Sequence, residues 1–135
     1  MNFDQIDNLR RKYVDTVVLT KIKSNYHAFS DDGKVLSIIC NYEFKNNECK
    51  FSTNLLEHVL ELLSTHHVSV YVNDEYKDYG KDYGVYLSIY NDKVRIDELI
   101  SNLSERMKNI IYDDGDAYYK IVKLFDELEK KNKVL

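Results

Sequence analysis

The sequence has no proline and no tryptophan, and it contains only four glycines and two cysteines. No segment rich in proline, glycine or serine divides the chain, so we expect a single domain that covers residues 1–135. A chain of this length can bury a hydrophobic core without disulfides or a structural metal.

Long apolar runs are also missing. None approaches the roughly 18 to 20 residues of a membrane span, and the first thirteen residues lack the pattern of a signal peptide. We therefore expect a cytoplasmic protein without membrane contact. The net charge of -4, from 23 acidic and 19 basic residues, argues against nonspecific binding to nucleic acid.

The chain has no recognised motif for catalysis, metal binding or nucleotide binding. The segment Asp113-Asp114-Gly115-Asp116 has the composition of a calcium loop, but its twelfth position is Leu124 and not glutamate. Gly80 and Gly84 precede neither a Lys-Ser/Thr pair nor a predicted helix start. His58 lies three residues before Glu61, which is typical of a solvated helix face. We expect no cofactor and no bound metal.

The two cysteines are expected to remain free. Asn46-Asn47 has the composition of a two-residue hairpin turn, which would place Phe44 opposite Cys49 and would place Cys40 elsewhere in the hairpin. Thiols that do not face each other cannot form a disulfide. A buried cysteine on an apolar strand face should also be a poor nucleophile.

In the first half of the chain, the apolar residues recur at helical spacing in some segments and at every second position in others. Apolar residues at helical spacing predict a helix over residues 2–14, and a period of two predicts a strand over residues 16–26. Residues 30–33, Ser-Asp-Asp-Gly, have turn composition. Alternating apolar residues predict the clearest strand over residues 34–44, and a broad apolar face predicts a helix over residues 55–63.

The second half suggests the same order. We predict strands over residues 68–73 and 85–90, a helix over residues 96–111, and a third helix after an Asp-rich cap. The hexapeptide Gly33-Lys-Val-Leu-Ser-Ile38 aligns with Gly84-Val-Tyr-Leu-Ser-Ile89. One interpretation is a duplicated unit of three strands and a helix.

These elements together predict an α+β fold. We expect an antiparallel sheet of about five or six strands, two helices on one of its faces, and helices at both termini. Tight Asp-Gly and Asn-Asn turns favour antiparallel neighbours, so a parallel α/β fold is the weaker alternative.

The segment EYKDYGKDYG, residues 75–84, contains Lys-Asp-Tyr-Gly twice and lies between two predicted strands. We interpret it as a long hairpin tip. Tyrosine offers a large contact area and a hydroxyl at low entropic cost, and spaced carboxylates can imitate the phosphates of a nucleic acid. The candidate partner-binding residues are Asp74, Glu75, Tyr76, Asp78, Tyr79, Asp82 and Tyr83.

The functional hypothesis is a small protein without catalytic activity that binds and inhibits or regulates a larger protein through this hairpin. The composition suits a phage or mobile-element inhibitor of a host nuclease or defence effector, and a homodimer is compatible with it. The alternative is a small-ligand-binding domain or a small hydrolase with a pocket lined by His27, His58 or His67. A histidine facing an acid inside a deep polar pocket would favour that alternative.

Overall fold

A computed structural model describes residues 3–134 of the chain, with the burial of side chains described up to residue 132. The chain divides into two compact units, Met1–Lys93 and Val94–Leu135, which we call the sheet unit and the helical unit. The boundary falls within one long helix. The prediction of a single domain stays a prediction.

The helices and strands of the described residues follow one another along the chain in a mixed order. They are α1 (Phe3–Lys12), β1 (Thr16–Val18), β2 (Thr20–Ile22), β3 (Asn25–Phe29), α2 (Asp31–Cys40), β4 (Phe44–Lys45), β5 (Glu48–Ser52), a short 3-10 turn (Thr53–Leu55), α3 (Leu56–Thr65), β6 (Val68–Val72), β7 (Glu75–Lys81), α4 (Tyr83–Asp113) and α5 (Ala117–Val134).

The strands form two sheets. In the three-stranded sheet the order is β1-β6-β7, with β1 parallel to β6 and β6 antiparallel to β7. The four-stranded sheet is antiparallel throughout and has the order β2-β3-β5-β4. Leu19 separates β1 from β2, and its backbone N–H donates to the carbonyl of Tyr71 at 2.9 Å. The chain therefore passes from one sheet to the other at this residue.

The α+β class is confirmed, but the predicted arrangement of strands is wrong. The described residues form seven strands in two sheets instead of five or six in one, and one strand pair is parallel. Each of the three hairpins, β2-β3, β4-β5 and β6-β7, leads into a helix. The predicted repeat of three strands and a helix is therefore wrong, because each hairpin supplies two strands before its helix.

The segment predicted as the clearest strand, residues 34–44, is mostly helix α2. Its residues Val35, Leu36 and Ile39 are buried, and the helix ends at Asn41, which adopts the left-handed conformation with φ 57°. Asparagine tolerates this conformation and commonly ends helices. The apolar residues of this short segment fit both the period of a strand and the period of a helix. The segment forms a helix because most sides of α2 are buried in the core.

The predicted hairpin tip is wrong as well. Asn73 and Asp74, with φ of 52° and 61°, form the tight turn after β6, and the segment that follows is strand β7. Residues 85–90, predicted as a strand, belong to α4, which begins at Tyr83 beside Gly84. A helix therefore does begin near the second glycine of the repeat, contrary to expectation.

Several local predictions are confirmed. The helices at residues 3–12 and 56–65 and the strand at residues 68–72 lie where the periodicity placed them. The Asn46-Asn47 turn pairs Phe44 with Cys49, as the two-residue loop predicts. Both cysteines are free.

The core of the sheet unit lies between its sheets and helices α2 and α3. Its fully buried side chains include Val17, Leu36, Val59, Leu63 and Val70. Helix α2 packs on β1, β3 and β5, and α3 packs on β6 and β7.

Candidate functional site

Three tyrosine rings stack on one another at the surface of the sheet unit. The ring centroids of Tyr13 and Tyr71 are 4.7 Å apart with an interplanar angle of 26°, and those of Tyr13 and Tyr76 are 5.3 Å apart with an angle of 16°. Lys12 lies over the ring of Tyr13 at 5.3 Å, within the range of a cation–π contact. We call Tyr13, Tyr71 and Tyr76 the tyrosine stack.

Three separate elements bring the stack together. Tyr13 follows α1, and its backbone N–H donates to the carbonyl of Leu9 at 2.9 Å, which continues the helical turn. Tyr71 of β6 and Tyr76 of β7 are direct cross-strand partners, so both rings project from the same face of the sheet. Stacking limits the rotation of each ring, and the surface is therefore largely ordered before any partner arrives.

The acids near the β6-β7 turn give this surface a negative edge. Asp74 and Glu75 are exposed, and Glu75 pairs with Lys77 at 3.4 Å. Tyr76 is 44 % exposed. Of the seven predicted contact residues, these three lie together at the hairpin turn beside the stack.

The side chain of Asp78 is partly engaged within the hairpin. The hydroxyl oxygen of Ser69, which is buried, lies 2.9 Å from the carbonyl of Gly80 and 3.2 Å from Asp78 Oδ1, and its single proton donates to one of these acceptors at a time. The same Ser69 oxygen accepts the backbone N–H of Tyr79 at 3.1 Å. Ser69 thus provides hydrogen-bond partners for backbone groups of β7 at the point where the register between β6 and β7 shifts.

The remaining predicted contact residues lie elsewhere. Tyr79 is half-buried and packs against the core, and Tyr83 is buried. Asp82 lies 3.8 Å from His67 Nδ1. Tyr79 and Tyr83 therefore add no fully exposed ring to the surface that carries Tyr76.

Sequence reasoning misses two members of the stack. The helical pattern places Tyr13 on the apolar stripe of α1, and the strand pattern does not single out Tyr71. The signal for Tyr71 is its position on the opposite side of the strand from Val68, Val70 and Val72, all of which are buried. No local signal indicates that Tyr13 reaches that face.

A second cluster of polar side chains surrounds Asp32, which is only 3 % exposed. Its carboxylate accepts the hydroxyl of Tyr83 at 2.5 Å and the backbone N–H of Val18 at 3.1 Å, and Arg10 Nε lies 3.3 Å away. The four groups come from α1, β1, α2 and α4. The cluster therefore ties the elements of the sheet unit together.

Burial raises the pKa of Asp32 to about 6, and the hydrogen bonds from Tyr83 and Val18 and the charge of Arg10 hold it from rising further. Burial and the carboxylate of Asp32 also raise the pKa of Tyr83. At neutral pH the carboxylate is therefore mostly ionised and accepts, while the phenol stays protonated and donates.

This pKa predicts a pH effect on stability. The folded value of about 6 lies above the ordinary value of 3.8, so the native chain keeps a proton between these pH values that the unfolded chain has lost. The contribution of Asp32 to the free energy of unfolding therefore falls, by about 3 kcal/mol at most, as pH rises from about 4 to above 6. We expect the stability of the wild type relative to Asp32→Asn to be greater at pH 4 than at pH 7.

Urea unfolding of both proteins at the two pH values measures this difference. Asp31→Asn is the control, because the Asp31 carboxylate is half-exposed and pairs with Lys34. An equal gap between wild type and Asp32→Asn at pH 4 and pH 7 would contradict the raised pKa.

His27, like His67, lies beside an acid. His27 Nδ1 lies 3.1 Å from Glu48 Oε2, and both side chains are largely buried. Glu48 also lines an open, mostly polar groove of about 360 Å³ with Glu43, Lys45, Asn46 and Lys50. The five side chains that line this groove include no hydroxyl or thiol that could serve as a nucleophile.

The other histidines have separate roles. His58 is exposed on α3, and His66 Nδ1 lies 2.6 Å from the carbonyl of Leu62 at the end of that helix. His67 packs so closely on Gly80 that a Cβ at residue 80 would lie 2.6 Å from His67 Cβ. Within residues 3–134, no three side chains of the metal-binding types cluster in a way that could hold an ion.

The thiols are poorly suited to nucleophilic chemistry. Burial raises the pKa of both Cys40 and Cys49 to about 12, so both stay protonated at neutral pH.

None of the helices in the described part of the chain is long and apolar enough to cross a membrane.

Comparison with known proteins assigns no family. No protein-family model matches the chain, and no curated protein matches it significantly.

Proposed function

We propose that this protein is a small, non-catalytic cytoplasmic binding protein that inhibits or regulates a larger protein through the tyrosine stack and the adjoining acids Asp74 and Glu75. The observation that carries the proposal is the stack itself. Three ordered aromatic rings at a surface provide apolar contact area and hydroxyl groups with little side-chain entropy left to lose.

The acids at the hairpin turn favour a partner whose surface is basic opposite that turn. Asp74 and Glu75 are exposed there, while Lys77 pairs with Glu75 and Lys12 lies over the ring of Tyr13. A nucleic-acid-binding enzyme, such as a host nuclease or defence effector opposed by a phage or mobile element, presents such a surface. Acidic residues at the rim would speed association with it more than they would tighten the complex.

The stack predicts a separation of binding from stability. We expect Tyr76→Ala to weaken partner binding by roughly 10-fold to 100-fold, since exposed aromatic anchors often contribute more than about 1 kcal/mol. The melting temperature should change little, because Tyr76 is 44 % exposed and lies on an outer strand. Capture from a lysate with both proteins in parallel identifies the partner, and calorimetric titration measures the affinity.

Tyr119→Ala is the matched control, because Tyr119 is 72 % exposed in the helical unit, away from the stack in sequence. It should retain the partner that Tyr76→Ala loses. Glu75→Gln should reduce the association rate, and added salt should reduce the same rate in the wild type. A partner bound equally by wild type and Tyr76→Ala would overturn the proposal.

The histidine-pocket alternative rests on the pair of His27 and Glu48. A histidine held by a carboxylate is able to act as a general base. The direct test is His27→Gln in an assay for hydrolysis of generic ester and phosphoester substrates, in which loss of wild-type turnover would favour the enzyme over the binding protein.

A further inference from the structure

The helical unit carries a large amount of apolar surface. Among residues 94–132, only Ala117 is buried. Ten aliphatic or phenylalanine side chains of α4 and α5 in this range are 37–58 % exposed. Exposed apolar surface on this scale is rare on a monomer and marks a place where another molecule docks.

The exposed area matches what a stable dimer needs. Eight of the ten side chains lie on the apolar stripes of α4 and α5, and Val94 and Leu124 lie outside these stripes. If a fully exposed side chain of this size offers on the order of 180 Å², these eight half-exposed side chains present roughly 700 Å². A standard protein interface buries about 800 Å² on each partner. The largest apolar patch of an ordinary monomer is roughly 300–600 Å².

The apolar stripe of α4 is symmetric about Leu103, which is 52 % exposed. Apolar residues stand four and seven positions away from it on both sides. The symmetric pairs are Leu99 with Met107 and Ile96 with Ile110. All five positions lie on one side of a helix, because spacings of three and four residues recur on the same face.

Two antiparallel copies of such a helix would match each other. If the two-fold axis passes beside Leu103, a residue that precedes Leu103 by a given number of positions in one copy faces the residue that follows Leu103 by the same number in the second copy. Leu99 of one copy would then lie against Met107 of the second copy, and the two Leu103 side chains would meet. An open groove lined by Ser104, Met107, Lys108, Ile111 and Tyr112 runs along this part of α4.

A basic side chain also lies beside the stripe, three positions from Leu103 on the side away from Ile100. Ile100 would face Arg106, whose alkyl stem is able to cover it.

We infer that the helical unit binds a second copy of this chain, with the two α4 helices antiparallel about Leu103 and the apolar stripes of the two α5 helices covered in the same dimer. The pairing is isologous, so it closes after two copies and does not continue into filaments. It is independent of the tyrosine stack, which lies in the sheet unit.

The first test is the mass of the full-length protein in solution. We expect a dimer at micromolar concentration by sedimentation equilibrium and light scattering. Leu103→Glu should raise the dimer dissociation constant at least 100-fold, because it places two carboxylates against each other at the two-fold axis. Ser101→Glu adds the same charge two residues away on the opposite face of the helix, and it should remain dimeric.

The second test fixes the register. Leu103→Cys should form an intermolecular disulfide under mild oxidation, whereas Ser101→Cys should not.

These measurements separate the outcomes clearly. A dimer that dissociates with Leu103→Glu without a change in circular dichroism, and that forms the disulfide through Leu103→Cys, supports the inference. A wild type that stays monomeric at about 100 μM would overturn it, since interfaces of this area normally associate well below that concentration. A dimer that is indifferent to Leu103→Glu would equally overturn it.

Discussion

Replacing Asp32 by alanine is expected to lower the free energy of unfolding by about 3–5 kcal/mol, close to the whole stability of many small domains. The alanine leaves the Tyr83 hydroxyl and the Val18 N–H buried without their acceptor. Each such unsatisfied group costs about 1–3 kcal/mol. The substitution also removes the carboxylate that balances the charge of Arg10.

Urea unfolding at pH 7 measures the effect of Asp32→Ala, and Asp31→Ala is the control on the half-exposed neighbouring residue. Asp32→Asn should be milder, because its amide can still accept from Val18 and pair with Tyr83. Combining Asp32→Ala with Tyr83→Phe should cost less than the sum of the two single changes, since both remove the same hydrogen bond. A loss below about 1 kcal/mol for Asp32→Ala would show that the cluster does not hold the fold together.

Two glycines in matching sequence contexts are expected to respond in opposite directions to alanine. Gly33 and Gly84 begin the aligned hexapeptides, and both lie in the first turn of a helix. A Cβ at Gly33 would lie 2.6 Å from the carbonyl oxygen of Ala28 and 3.0 Å from the backbone nitrogen of Cys49. A Cβ at Gly84 would meet nothing within 4 Å.

Gly33→Ala should therefore destabilise the protein by about 2–4 kcal/mol, because the backbone of β3 and β5 has to move to admit the methyl group. Gly84→Ala should stabilise it by roughly 0.5–1 kcal/mol, since alanine favours the helix and restricts the unfolded chain. Thermal and urea unfolding of the two variants side by side measures the difference. Equal shifts would show that α2 does not pack as closely on the hairpins as the structure indicates.

Local pattern was sufficient where it was unambiguous. The helix at residues 56–65 has an apolar face that no strand period fits, and the Asn46-Asn47 turn contains two residues that tolerate positive φ. Such signals depend on the segment alone, so they predicted these elements without knowledge of the tertiary packing.

The prediction from the sequence was wrong where a short apolar run fitted both the strand period and the helical period. In the first turns of α4, Val85, Leu87 and Ile89 alternate like a strand. The residues that pack against the core are instead at helical spacing, Tyr83, Tyr86 and Leu87, with Tyr90 set edge-on against Phe44 at 5.5 Å. Both periods were present in the sequence, and only the position of the core decides between them.

The candidate site was predicted in part for the same reason. The sequence indicated the tyrosine and acidic content of residues 74–76, which the structure places at an exposed turn beside the stack. It did not indicate Tyr13 and Tyr71, because their meeting depends on where α1 lies relative to β6.

The segment EYKDYGKDYG shows most clearly what the sequence determined and what the tertiary structure determined. Its sequence alone determined a tyrosine-rich, acidic composition and an alternation that a strand can adopt. The tertiary structure decided that Tyr79, in the first copy of the repeat, is half-buried in β7, while Tyr83, in the second copy, donates to the buried Asp32. The physical reason is that a repeated tetrapeptide presents identical chemistry twice, and only pairing with β6 and packing on α2 make the two environments different.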